Sequence, residues 1–189
     1  MQYFIPASFL LALPILVYAT YNNVFQISVD HDNAKDCKEL SVGDKGFIQL
    51  TKKTEPGEPL TVYGKILDKQ TKQPIENASL FLYQTDSTGI YSTSGIDRDA
   101  RIKGTLYSNT SGCFKIQTIL PGDYPENKNS RHLHYIINAK GYKEVTSALF
   151  FKGFTTHNLS EQGPLIILDI KKGNTGAWIG MTNFYLEKN

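Results

Sequence analysis

The triplet His132-Leu133-His134 is the stretch of this sequence best suited to chemistry. Successive side chains on a strand point to opposite faces, so both imidazoles leave one face and Leu133 leaves the other. Two imidazoles side by side can share a metal ion, and imidazole is the commonest protein ligand for one. The pattern alone is weakly specific, because paired histidines on a strand also serve as packing residues. Its surroundings add to it. In Pro121-Gly122-Asp123-Tyr124-Pro125, Pro125 pushes Tyr124 to an extended conformation and Gly122 permits a sharp turn before it. Tyr124 is therefore expected on a stiff, bent loop shortly before the histidine strand. Further upstream, Asp86-Ser87-Thr88-Gly89-Ile90-Tyr91 places a second tyrosine just after a turn. With 11 tyrosines in the chain, any one of them taken alone reads as a packing residue.

The elements that must position these residues read as strands. Leu60 to Asp68 alternates as a strand should, Ala78 to Gln84 forms a second, and Asp86 to Gly89 is a turn. Gly104 to Ser108 and Cys113 to Thr118 flank the turn Asn109-Thr110-Ser111-Gly112. His132 to Ala139, Leu149 to Phe151, Leu165 to Ile170 and Thr182 to Leu186 complete the series. No helical periodicity of useful length follows the first segment. Many short strands with regular turn signals predict an all-β fold, an antiparallel β-sandwich.

The chain has 189 residues, of which 40% are hydrophobic and 20% charged, enough apolar material for one cored domain. The net charge is +2 with signs interspersed, and the absence of a basic stripe argues against nucleic acid as a partner. Residues 1–19 carry no charge; Phe9 to Val17 reads as the apolar core of a signal peptide, with Val17-Tyr18-Ala19 at the cleavage position. An uncleaved membrane-anchor segment is the alternative, although two prolines and limited length disfavour a spanning helix. Residues 20–58 read as an N-terminal extension with one short strand near Phe47 to Leu50, and residues 59–189 as the sandwich. Export implies a secreted or periplasmic location. Cys37 and Cys113 then read either as one disulfide or as two thiols, since spacing does not report their distance.

Several runs resemble the intradiol ring-cleaving dioxygenases. Gly64 to Asp68, Pro74-Ile75-Glu76-Asn77-Ala78, Tyr83-Gln84-Thr85-Asp86 and Gly89-Ile90-Tyr91 look like the opening of that family's core. Gly104-Thr105, Ser111-Gly112-Cys113-Phe114 and Thr118 to Pro125 look like its middle, and His132-Leu133-His134 matches its His-x-His. The resemblance spans roughly residues 60–153. It implies one ferric ion, with Tyr91 and His134 as equatorial ligands and Tyr124 and His132 as axial ones. That set makes physical sense: a free tyrosine titrates near ~10, so a highly charged cation is needed to hold it as phenolate at neutral pH. Two hard phenolates favour iron(III), unlike the two-histidine-one-carboxylate set of iron(II) sites. The implied reaction is O2-dependent cleavage of a catechol-type ring between its hydroxyl-bearing carbons. Tyr124 is there both ligand and catalytic base. The resemblance also implies a capacity to form homodimers.

The sequence departs from the family at two substrate-orienting positions. Asn129 stands where better-known members carry Arg, and Ala148 where they often carry Gln. Arg131 is expected to point away from the metal face, which leaves Arg98, Arg101 and Lys103 as alternative cations on a pocket rim. The same turns also resemble the carboxypeptidase-regulatory or transthyretin-like sandwich, a non-catalytic binding module. That alternative leaves the paired histidines beside Tyr124-Pro125 unexplained. Trp178 is expected to pack the final strand, and His31 and His157 to be solvated.

Overall fold

The structure, a computed structural model, describes residues 34–92, 94, 99–128, 130–155 and 166–189. The expectations for the 1–19 leader, Asn129, Arg98, His31 and His157 lie outside those residues. Among the described residues no helix is long and apolar enough to cross a membrane.

Among the described residues, one short helix, α1 (Lys35–Lys38), precedes eleven strands. They are β1 (Phe47–Gln49), β2 (Pro59–Asp68), β3 (Ser79–Gln84), β4 (Ile102–Tyr107), β5 (Cys113–Ile119) and β6 (Ser130–Asn138). Then follow β7 (Val145–Thr155), β8 (Ile166–Leu168), β9 (Ile170–Lys172), β10 (Trp178–Met181) and β11 (Phe184–Leu186). The first sheet runs β1-β5-β2-β10-β9 with β11 also paired to β2; the second runs β4-β3-β6-β7-β8. Alternation decides which side chains meet between them. Leu60, Val62, Ile66, Phe114 and Ile116 come from the first sheet. Leu80, Leu82, Leu133, Tyr135, Ile137, Leu149 and Phe151 face them from the second, all buried. Each fully buried Leu, Ile or Phe contributes about 1.5–3 kcal/mol of hydrophobic stabilisation. The intervening residues of β3, β6 and β7 are thereby turned to the outer face of the second sheet, and the two histidines are among them.

The β-sandwich is as expected, with two refinements. The central ladders are antiparallel, but β1 with β5, β10 and β11 with β2, and β8 with β7 pair in parallel. β1 and β5, and β2 with β10 and β11, are far apart in sequence, and parallel partners cannot be joined by a tight hairpin. The strand expected over residues 165–170 is divided at Asp169: β8 stays in the second sheet and β9 joins the first. The closing strand expected from Thr182 is preceded by β10, which includes Trp178, and Thr182-Asn183 separates β10 from β11. That crossing lies directly on Gly64, where a Cβ would overlap the Thr182 carbonyl. The Asn183 side chain in turn accepts the Lys65 N–H at 2.9 Å.

Residues 34–49 are fastened to the first sheet. Cys37 and Cys113 form a disulfide with a Cα–Cα distance of 5.1 Å, and Lys115 Nζ donates to the carbonyls of Lys38 and Leu40. β1 then extends the sheet beside β5. Closing a loop between residues 76 apart in sequence removes chain entropy from the unfolded state, about 4 kcal/mol on the chain-entropy account. Replacing both cysteines by serine is expected to lower unfolding free energy by about that amount in denaturant titrations, and a reductant should match it.

Candidate functional site

His132 and His134 leave the outer face of β6 while Leu133 and Tyr135 enter the core. The ladder between β6 and β7 shifts between Ser130 and His132, a bulge that re-aims the start of the histidine strand. His132 is buried, and its Nδ1 lies 2.5 Å from the Ser130 carbonyl. A carbonyl only accepts, so Nδ1 carries a proton there and Nε2 is the nitrogen turned toward Tyr91, Tyr124 and His134. Phe150 stacks on the His132 ring at 5.1 Å, and Tyr83 lies almost parallel to the His134 ring at 4.5 Å and 11°. Burial, and then the neighbouring His132, push the His134 imidazole down to about 3, so it is neutral at physiological pH.

The tyrosines come from two loops that grip each other. Asp86 closes the first: its carboxylate accepts the N–H of Thr88, the hydroxyl of Thr88 and the N–H of Ile90. Tyr91 follows directly and is buried. In the second loop the Ser130 hydroxyl accepts the Tyr124 N–H at 3.0 Å and donates to the Asn127 carbonyl at 2.7 Å. The Asp123 carboxylate accepts the Ser130 N–H at 2.8 Å. The loops meet backbone to backbone. Gly122 N–H donates to the Asp86 carbonyl at 2.8 Å, and the Thr85 hydroxyl donates to the Gly122 carbonyl at 3.0 Å. Gly89, at φ +88°, lies so close to Asp123 that a Cβ there would overlap the Asp123 carbonyl. Beneath them, buried Gln84 donates to the carbonyls of Thr85 and Ile119 and accepts from Thr118.

This scaffold brings together all the polar ends that the sequence singled out. The Tyr91 and Tyr124 hydroxyls are 2.7 Å apart, and they lie 3.3 and 3.1 Å from His132 Nε2. His132 Nε2 is 2.8 Å from His134 Nε2. Two donors at right angles around a cation with bonds of about 2.0–2.1 Å would be about 2.9 Å apart. The observed spacings are of that size, and the donors comprise two hard phenol oxygens and two imidazole nitrogens. Among the described residues, no group of three or more His, Cys, Asp or Glu side chains gathers to hold a metal, and the set here pairs two histidines with two tyrosines.

Of the cations expected on the rim, Arg101 and Lys103 are engaged by carboxylates. Arg101 forms a forked pair with Glu55 at 3.0 and 2.6 Å and reaches Asp86 at 3.6 Å; Lys103 pairs with Asp99 at 3.0 Å. Arg131 bonds Asp123 at 3.2 Å and lies over the Phe154 ring at 5.1 Å. Ala148 is opposite His134 in the ladder and buried against Phe150, so the wall beside the imidazoles is apolar. Sequence reasoning missed Ser130, Tyr83 and Gly89 as positioning residues. Ser130 lay within reach of the pattern, since on a strand it shares a face with His132.

Comparison with known proteins gives the chain's family. A family described as dioxygenase matches residues 34–158. Catechol 1,2-dioxygenase of Acinetobacter baylyi is 23% identical over 128 residues, 57% of this chain and 41% of that protein. 6-Chlorohydroxyquinol 1,2-dioxygenase of Cupriavidus pinatubonensis is 30% identical over 115 residues, 51% of this chain and 41% of that protein. The chain thus spans about two-fifths of the length of these curated relatives. Among solved structures, the dioxygenase domain of a dioxygenase carbohydrate-binding protein fusion from Streptomyces sp. SirexAA-E superposes with a TM-score of 0.62 at 26% identity. That match covers 79% of this chain and 97% of that one. 3-Chlorocatechol 1,2-dioxygenase of Rhodococcus opacus, with a TM-score of 0.64 at 23% identity over 79% of this chain and 69% of that one, shares the fold. With the family match covering well over half of its length, the chain belongs to the intradiol ring-cleaving dioxygenases.

Proposed function

We propose that this chain binds a ferric ion through Tyr91, Tyr124, His132 and His134 and uses it, with O2, to open a catechol-type ring between its hydroxyl-bearing carbons. The observation that supports this reading is the approach of the two phenol oxygens and His132 Nε2 to within 2.7–3.3 Å of one another, with His134 Nε2 2.8 Å from His132 Nε2. Bound there, iron(III) would act as a Lewis acid that draws electron density from an aromatic diolate and opens its ring carbon to O2. The protein's own groups do the rest. The Ser130 carbonyl holds the Nδ1 proton of His132, so that ring turns its other nitrogen to the site. Tyr91 is the buried, fixed phenol, while Tyr124 is half-buried on its loop. The Tyr124 oxygen is the group assigned to take a proton from a substrate hydroxyl. Phe150, Ala148 and Tyr83 keep the imidazole face apolar and exclude water from it. With Ala148 there and Arg101, Lys103 and Arg131 committed to carboxylates, this wall suits a ring edge without charge.

The Cys37–Cys113 disulfide supports a secreted or periplasmic location, where such bonds persist.

Purified protein is expected to carry stoichiometric iron and a visible phenolate-to-iron absorption band, and to consume O2 with catechol and alkylcatechols faster than with carboxycatechols. Colourless protein that takes up no iron would overturn the metal assignment. Iron-loaded, coloured protein inert toward every catechol would retain the centre and overturn the enzyme.

A further inference from the structure

The two imidazoles are steadied by different devices. His132 is fixed through its second nitrogen, because Nδ1 is tied to the Ser130 carbonyl. A histidine that presents one nitrogen to a metal usually donates the other to a carbonyl, a carboxylate or water. His134 instead lies flat against Tyr83, with ring centroids 4.5 Å apart and planes 11° from parallel, and its hydrogen bond to His132 is made through Nε2. Tyr83 is held in turn. It is buried on the outer face of β3, in register with His134 on β6, and packs against Phe81 at 5.7 Å and Tyr91 at 6.1 Å.

We propose that Tyr83 is a positioning residue: its ring face sets the plane of the His134 imidazole and so aims Nε2 at the Tyr91, Tyr124 and His132 donors. This rests on the metal-centre reading above. The β3–β6 register carries the argument. Tyr83 is directly opposite His134 in that ladder, and cross-strand neighbours on one face are close enough for ring-on-ring contact. On its other side His134 faces Ala148, too small to restrain a ring; His132 meets it edge-on at 4.4 Å and Tyr91 tilted at 6.0 Å, so the parallel, face-on contact is the one from Tyr83. What matters is the aromatic face and not the phenol oxygen, so phenylalanine should substitute for Tyr83 and an aliphatic residue of similar bulk should not.

The test compares Tyr83→Phe and Tyr83→Leu with the parent protein. The first readout is metal-free: NMR of the imidazole protons, in which those of His134 carry the ring-current displacement of a face-on neighbour. The displacement should persist in Y83F and disappear in Y83L while the His132 resonances stay in place. The second is ferric-iron affinity by chelator competition together with the phenolate-to-iron band. Y83F should bind like the parent, and Y83L should bind about tenfold or more weakly, in the range typical when a supporting residue behind a ligand is removed, with an altered band. The proposal is overturned if Y83L keeps the His134 displacement, if it only lowers the melting temperature while affinity and band stay unchanged, or if Y83F fails as badly as Y83L. Should the parent protein itself bind no iron, the metal-centre reading fails, and the NMR comparison still decides whether Tyr83 orders His134.

Discussion

Replacing Tyr124 by phenylalanine is expected to lower turnover of a catechol by about 10²–10⁴-fold while the protein stays folded. The substitution deletes one oxygen from a side chain whose placement does not depend on that oxygen. The loop is held by its backbone: the Tyr124 N–H is bonded to the Ser130 hydroxyl, and Asn127 N–H to the Tyr124 carbonyl at 3.0 Å. The ring keeps its packing, tilted against Tyr91 at 5.9 Å and edge-on to His132 at 5.4 Å. The deleted oxygen contacts the Tyr91 hydroxyl at 2.7 Å and His132 Nε2 at 3.1 Å, so metal-free stability should change by only about 1 kcal/mol. Its chemical loss is larger. One of two phenolates disappears from the donor set, and with it the oxygen assigned to receive the substrate's proton. The visible band of the iron-loaded variant should shift and weaken, and kcat should fall more than KM rises. Unchanged steady-state O2 uptake would remove Tyr124 from the mechanism, and an unchanged optical spectrum would remove it from the metal.

The features legible in the sequence were those that depend on local spacing. Leu60 to Asp68 alternates, so β2 could be placed; His132 and His134 are two residues apart on a strand, so their shared face followed from geometry. The Tyr124-Pro125 loop was marked by proline and glycine chemistry. What escaped needed register or tertiary proximity. Tyr83 meets His134 only because β3 and β6 are aligned at that pair, and shifting the pairing by one residue would have turned Tyr83 to the core. The disulfide joins residues 76 apart, and no sequence pattern reports that α1 folds back onto β5. β10 was absent from the expectation because Trp178-Ile179-Gly180-Met181 does not alternate and contains a glycine, which weakens a strand signal. Its place comes from pairing on β2, a partner more than a hundred residues earlier in the chain. The contact between the two tyrosine loops was invisible for the same reason, although each glycine in it reads locally as a turn residue.

That contact yields the largest expected structural effect, that of Gly89→Ala. Gly89 sits at φ +88°, a backbone conformation that costs an L-residue about 1–2 kcal/mol. Its added methyl would also overlap the carbonyl of Asp123, which is backbone and has no rotamer by which to withdraw. Overpacking of this kind costs about 1–3 kcal/mol more, and relief requires the Tyr91 loop and the Tyr124 loop to separate. Separation draws the Tyr124 oxygen away from Tyr91 and His132, so iron affinity and the phenolate band should fall along with stability. Gly141→Ala isolates the conformational part: Gly141 has φ +85°, and nothing lies within 4 Å of the Cβ position. It should lose about the 1–2 kcal/mol of left-handed strain and keep parental iron affinity and colour. The comparison is therefore a difference between two glycines of nearly equal backbone angle, only one of which touches the second loop. If denaturant titration finds equal destabilisation and both variants bind iron with the parental spectrum, the glycine clasp does not set the distance between the two phenols, and that distance rests instead on the Gly122–Asp86 and Thr85–Gly122 hydrogen bonds between the loops.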